Sequence, residues 1–202
     1  MKFYSQSLQD KWVVELLNFK KKGFFLDIGA YDGVQTSNTY TLEQELEWDG
    51  ICIEANPQVF RSLSEARSSI CVNTVLLDYK GECQFGTSEI NQAPFTALPC
   101  NTLTNVLEEN NCPLEIDYLS IDIEGCEYDV LKEFDFDKYA ITCMTVEHNL
   151  YLDGDFNKNR IFELLSNKGF KRVVEDAPCL DKCPAWYMKP YEDWYVSKNF
   201  TK

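Results

Sequence analysis

Positive charge is scarce in this sequence: 19 Lys and Arg stand against 33 Asp and Glu, the net charge is −14, and there is one histidine. Binding phosphates takes clustered Lys and Arg, so nucleic acid is excluded as the main partner. The dense basic run Lys20-Lys21-Lys22 precedes a strand-like stretch and reads as a solvated helix end. Long apolar runs are missing too. None approaches the roughly 18 residues of a membrane-spanning helix. The opening residues MKFYSQSLQDKW lack the apolar centre of a secretory signal. The expectation is a cytoplasmic protein with no membrane span. Cysteines number nine, but no two pairs stand at zinc-ligand spacing. Cys179 and Cys183 form a C-x-x-x-C pair whose spacing suits a disulfide or half a metal site, with no second pair to complete one. Cys52, Cys71 and Cys143 lie in apolar runs and read as small core residues. Free thiols in a reducing compartment are the expectation.

What is present is a regular alternation. At 202 residues, 45% hydrophobic and 26% charged, the chain suits one globular domain over residues 1–202, or one domain of a longer protein. GFFLDIG, GICIEAN, SICVNTVL, IDYLSIDIEG and AITCMTVEHN read as strands buried on both faces. Between them NTYTLEQELEW, PQVFRSLSEAR, LTNVLEENN and CEYDVLKEF read as helices, the second with Pro57 at its first position. Such alternation implies right-handed crossovers and an α/β fold with a mostly parallel sheet. Residues 1–22 carry apolar side chains at helical spacing, at Leu8, Trp12, Val13, Leu16 and Leu17. GFKRVVEDAP and EDWYVSKNF read as a terminal antiparallel hairpin, and Asp78 to Pro99 as a short strand and a loop.

In an open parallel sheet, ligands bind beyond the carboxyl ends of the strands. Here those ends are Asp27-Ile28-Gly29, Glu54-Ala55-Asn56, Asp78, Asp122-Ile123-Glu124 and Glu147-His148-Asn149. Each carries acid and none carries Lys or Arg. The first turn, Gly29-Ala30-Tyr31-Asp32-Gly33, is not the G-x-G-x-x-G of a dinucleotide fold, and Asp32 within it repels phosphate. The same turn suits a ligand with ammonium or sulfonium charge. Glu54 follows Gly33 by 21 residues, where an acid accepts bonds from ribose hydroxyls. A glycine turn and a ribose acid without phosphate machinery fit S-adenosylmethionine. Asp27, Gly29, Ala30, Tyr31, Asp32, Gly33, Glu54, Ala55, Asp78 and Asp122 are the candidate cofactor residues. Ser37 and Asn38 are read either as ligands of the methionine carboxylate or as helix caps.

With these pieces in order, the chain resembles the FkbM-type S-adenosylmethionine-dependent methyltransferases. The matching motifs are SQSLQD, FLDIGAYDGVQTSNT, GICIEANP, YLSIDIEGCEYDVL and TVEHN, covering roughly residues 4 to 150. The resemblance implies a Rossmann-like class I methyltransferase fold, a mostly parallel seven-stranded sheet with helices on both faces. It implies O-methylation of a carbohydrate substrate, for instance a terminal deoxyhexose of a glycan or glycosylated metabolite. It also implies work beside, or fusion to, glycosyltransferases. It places the N-terminal segment, with Gln6, Gln9 and Asp10, over the cofactor.

Methyl transfer to an alcohol needs a positioned hydroxyl and a group to take its proton. Asp122 and Glu124 lie two apart, so a strand period points them the same way. His148 is the candidate base, its ordinary pKa being near neutral, and Asp122, Glu147 and Glu124 are candidate partners. Asp122, Glu147 and His148 also make a ligand set suited to Mg2+ or Mn2+, a second reading of the same residues. Asn149 and Trp186 are candidate substrate contacts. The rivals are an NAD(P)-dependent oxidoreductase, which phosphate-poor strand ends disfavour, and a non-catalytic Rossmann-fold binding domain. The sequence carries no signal for an oligomeric state.

Overall fold

The computed structural model describes residues 1–85, 96–150, 154–180 and 190–201. The strands are β1 Phe24–Ile28, β2 Asp49–Glu54, β3 Ile70–Asn73, β4 Val75–Leu76, β5 Gly81–Phe85, β6 Thr96–Asn101, β7 Glu115–Ile121, β8 Ala140–Glu147, β9 Phe170–Pro178 and β10 Pro190–Ser197. The helices are α1 Gln9–Leu16, α2 Tyr40–Leu46, α3 Pro57–Ala66, α4 Leu103–Glu109, α5 Glu127–Lys132 and α6 Phe156–Asn167. Seven strands form one sheet in the order β3-β2-β1-β7-β8-β10-β9. The first five run parallel, and β10 is antiparallel to both β8 and β9. The chain builds outward from β1 through β2 to β3, then returns to place β7 on β1's other side. That reversal opens a crevice beyond β1 and β7, where ligands of such sheets bind.

Alternation along the strands divides the core in two. Leu26, Ile28, Leu119, Ile121, Met144 and Val146 pack with Leu103 and Leu107 of α4, Leu131 of α5 and Leu165 of α6. Phe25, Cys52, Tyr118 and Cys143 pack on the other face with Val13 and Val14 of α1, Leu42 of α2 and Leu63 of α3. Both faces are covered, so the strands read as continuous apolar runs. Cys52 and Cys143 are fully buried, as the sequence suggests, while Cys71 is half-buried at the sheet edge.

Three readings are corrected. SICVNTVL is not one strand: it breaks at Thr74, and β4 joins β6 and β5 in a separate small sheet. β6 was not foreseen, because TALPCN mixes small, polar and proline residues. The helix α6 was also missed: only Ile161 and Leu165 along it are buried apolar positions, too few to show a period. Among the described residues no helix is long and apolar enough to cross a membrane.

Leu119 is fully buried at the centre of the sheet. Leu119→Ala is expected to lower stability by roughly 2–5 kcal/mol in denaturant unfolding.

Candidate active site

The turn after β1 is built from both flanking strands. Gly29 has φ 86°, and a Cβ there would stand 1.8 Å from the carbonyl oxygen of Asp122. Gly33 has φ 82°, and its Cβ would stand 2.8 Å from Arg67 Cγ and Leu63 Cδ1. The glycines therefore let chain approach chain closely at this turn. Asp32 Oδ1 accepts the Val34 and Gln35 N–H groups at 2.9 and 2.7 Å, so it shapes the turn itself. Ala30 is buried and its N–H donates to Ile53 O at 3.1 Å. Tyr31 is exposed in left-handed conformation, φ 50°.

Glu54 is fixed at the rim of this turn. Its Oε2 accepts the Tyr31 N–H at 3.1 Å and its Oε1 the Asn56 N–H at 2.7 Å. Burial raises its pKa, and these backbone donors work against the rise. Each oxygen keeps a second lone pair, which fits a ligand offering two hydroxyls. Ala55 lends its carbonyl to Asn73 Nδ2 at 3.2 Å. Asn56 caps α3 through Gln58 N–H at 3.0 Å.

Beneath the turn lies a residue the sequence reading missed. Arg67 follows α3, and its side chain is fully buried. Nε donates to Glu43 Oε2 at 2.8 Å, one terminal nitrogen to Gly33 O at 3.1 Å and Ser37 Oγ at 3.4 Å, the other to Thr39 Oγ1 at 2.9 Å. Thr39 Oγ1 in turn donates to Asp27 Oδ2, which lies 4.0 Å from the guanidinium. Asp27 is thus a buried support, its pKa raised by burial against the pull of Arg67. Ser37 caps the start of α2 by accepting Thr39 and Tyr40 N–H groups at 3.2 and 3.1 Å. Asn38 Nδ2 donates to Ser120 Oγ at 2.8 Å, and its buried Oδ1 has no partner.

The ends of β7 and β8 gather carboxyls. Burial raises the Asp122 carboxyl and drives Glu147 well up, and the neighbouring Asp122 charge adds to the rise at Glu147. Asn149 Nδ2 donates to Glu147 Oε2 at 3.1 Å. Among the described residues its buried Oδ1 has no partner, nor does Glu127 Oε2. Burial pushes Glu127 up to about 7 and Glu192 of β10 up to about 8. Neither Glu127 nor Glu192 was singled out from sequence.

Several expected residues stand elsewhere. β7 ends at Ile121, and Glu124 lies beyond it, exposed at φ 58°, so the period of two does not carry to it. His148 follows Glu147 just past the end of β8, its N–H donating to Tyr191 O at 2.8 Å. The imidazole is buried, with Nε2 3.5 Å from Asp193 Oδ1 and 3.6 Å from Asp176 Oδ1, and Nδ1 accepting the Leu150 N–H at 3.3 Å. Lys158 and Arg172 already pair with those acids at 2.7 and 2.8 Å. The Asp122, Glu147 and His148 set is therefore not assembled as metal ligands. Asp78 is exposed and ion-paired with Lys132 at 3.1 Å. Asp10 is buried with Tyr4 N–H, Ser5 Oγ, Lys11 N–H and Thr41 Oγ1 all donating to it, which makes it a clasp for the N-terminal segment. Gln9 is buried too, donating to Tyr191 Oη at 2.7 Å and accepting Ser7 N–H at 2.7 Å. Gln6 is half-buried, its carbonyl accepting Leu180 N–H at 2.9 Å. Cys183 and Trp186 lie outside the described residues.

Two outcomes follow from these groups. Arg67→Met strands two buried carboxylates and is expected to cost about 3–5 kcal/mol in denaturant unfolding, with Arg67→Lys falling between it and the native chain. Glu192, raised from 4.5 to about 8 by burial, keeps a proton in the folded chain that the unfolded chain releases across that window. Its contribution to stability therefore falls as pH rises through the window. Glu192→Gln retains the acceptor for Trp194 Nε1 (2.6 Å), and is expected to stabilise by on the order of 2 kcal/mol at pH 8 and little near pH 4.5.

A family model described as the methyltransferase FkbM domain matches residues 27–172. No protein of curated function matches the chain. A putative O-methyltransferase from Klebsiella pneumoniae superposes with a TM-score of 0.59 at 9% identity, over 95% of this chain and 80% of that one. A TehB-like SAM-dependent methyltransferase from Corynebacterium glutamicum gives 0.54 at 8% identity, over 98% and 89%. The methyltransferase FkbM from Methylobacillus flagellatus KT gives 0.58 at 12% identity, over 88% of this chain and 44% of that one, so this chain spans under half of that protein. At these identities the likeness establishes the fold, that of class I SAM-dependent methyltransferases. The family match covers more than half of the sequence, and the chain belongs to the FkbM methyltransferase family.

Proposed function

We propose that this chain is an O-methyltransferase that moves the methyl group of S-adenosylmethionine to a hydroxyl of a sugar. The observation that carries the reading is the pairing of buried Glu147 with half-buried Asp122 beside the β1 turn, with raised carboxyl pKa values and an amide oxygen next to it that has no partner among the described residues. The donor set fits the cofactor: carboxylates and the carboxylate-clasped turn face the crevice, and the nearby cation Arg67 is buried and spent on the chain. S-adenosylmethionine supplies, when bound, a methyl carried on a sulfonium. Glu54 accepts the ribose hydroxyls, held by the Tyr31 and Asn56 N–H groups. Gln6 remains the N-terminal candidate for a contact from above, since Gln9 and Asp10 are spent on the chain.

Glu147, once ionised, takes the proton of the acceptor hydroxyl as the new bond forms, because an alcohol loses its proton only as methyl transfer proceeds. A carboxyl with a raised pKa is the stronger base for that step. Asn149 holds Glu147 in place. His148 is not given the base role: the lone pair on Nδ1 receives the Leu150 N–H and the ring faces Asp176 and Asp193. A lining made of hydrogen-bond acceptors suits a polyol acceptor, consistent with a sugar supplied by a glycosyltransferase.

The test is calorimetric titration with S-adenosylhomocysteine, then labelled-methyl transfer to a glycan panel. Micromolar binding and methylation of a sugar hydroxyl are expected. Glu147→Gln is expected to keep that affinity while lowering turnover about 10²–10⁴-fold. Native turnover is expected to fall at low pH along a limb set above the ordinary carboxylate range, and Glu147→Gln to lose that limb. Absence of S-adenosylhomocysteine binding would leave the non-catalytic Rossmann domain as the better reading.

A further inference from the structure

Cys52 and Cys71 face each other across the outermost strand pair of the sheet. They are register partners in the parallel β2–β3 pairing, with β3 at the edge. Both lie in one apolar cluster, and Cys71 Sγ donates to Ser69 O at 3.5 Å. The two differ in access: Cys52 is fully buried and Cys71 half-buried. They differ also in acidity. The neighbouring Cys52 lowers the Cys71 thiol, burial opposes this, the guanidinium of Arg67 lowers it further and the Glu43 carboxylate raises it. Cys71 and burial push Cys52 well up. A partly exposed thiol with a second, buried thiol at the facing register position is the arrangement of an attacking and a resolving cysteine.

We infer that Cys52 and Cys71 form a peroxide-sensitive dithiol that closes to a disulfide between β2 and β3. In the first step the Cys71 sulfur attacks hydrogen peroxide, giving a sulfenic acid and water. In the second the Cys52 thiol displaces hydroxide from that sulfur, the thiol proton completes a second water, and the S–S bond forms. Peroxide is the oxidant, and a thiol reductant reverses the change.

The pair is wired to the crevice. Two residues beyond Cys52 stands Glu54, and two beyond Cys71 stands Asn73, whose Nδ2 donates to Glu54 O at 2.7 Å and Ala55 O at 3.2 Å. Drawing β3 against β2 at the cysteines shifts that clasp. Oxidation is therefore expected to weaken cofactor binding, a consequence that rests on the proposed function. Cys83 and Cys100, also on adjacent strands, serve as the internal comparison, since burial raises the Cys83 thiol and makes it the slower nucleophile.

The experiment treats the reduced protein with one to a few equivalents of hydrogen peroxide, blocks remaining thiols and maps tryptic peptides. Cleavage after Lys22, Arg61, Arg67 and Lys80 isolates Cys52 and Cys71 on separate peptides with no other cysteine. The expected result is a linked Cys52–Cys71 peptide ahead of any other disulfide, lost on reduction and absent from Cys71→Ser. Other thiols oxidising while this link stays missing overturns the proposal. S-adenosylhomocysteine titration of the reduced, oxidised and re-reduced protein reads the second part. A several-fold loss on oxidation, restored by reductant and missing in Cys71→Ser, supports the coupling. Equal affinity in linked and reduced protein overturns the coupling while the dithiol stands. Failure of the reduced protein to bind bears on the proposed function alone, because the peptide map needs no ligand.

Discussion

The buried guanidinium of Arg67 is the constraint on which the β1 side of the crevice depends. A fully buried cation is unfavourable unless its charge and its donors are met. Here Glu43, Thr39, Ser37 and the Gly33 carbonyl meet them. In meeting them, these groups tie the β1 turn, the start of α2 and the end of α3 into one unit. The same side chain explains why position 33 is glycine: a Cβ would strike its stem. It also sits close enough to Asp27 and the Cys52–Cys71 pair to bias their protonation. One residue after a helix thereby sets the shape of the turn, the state of its supporting acid and the acidity of a thiol.

Across the crevice the logic is the reverse. Asp122, Glu127, Glu147 and Glu192 are withdrawn from water with little cationic compensation, and their pKa values rise accordingly. Burying carboxyls this way weakens the fold at neutral pH. It leaves acceptor atoms unpaired, at Glu127 Oε2 and Asn149 Oδ1. Unsatisfied buried groups and raised carboxyls concentrate at sites that work on a ligand. The fold's cost and the site's chemistry are the same feature.

A single peptide step separates two outcomes at the end of β8. Glu147 joins Asp122 on the crevice side, and His148 joins Asp176, Asp193, Lys158 and Arg172 in an ion-paired cluster. Composition made the lone histidine the natural base, and the fold turns its ring toward Asp176 and Asp193 instead.

The sequence by itself determined the α/β class, five parallel strands in order, the crevice at their carboxyl ends and the acids at the ends of β1, β2, β7 and β8, while β3 ends at Asn73 without one. These features are local: a buried strand must be apolar on both faces, and a cap or turn is written in adjacent residues. Pro57 opening α3 and Glu54 closing β2 were legible for that reason. Tertiary structure alone decided which acids meet. Asp10 is spent clasping the N-terminal segment, Asp78 pairs with Lys132, Glu124 turns outward, and Glu192 arrives from β10, far along the chain. In the small β4-β6-β5 sheet β5 was legible as a short strand, but β6 and α6 were not, because their residues carry weak periods and owe their form to packing. Which carboxyl keeps a proton depends on burial and on neighbours distant in sequence, and only the assembled fold supplies either.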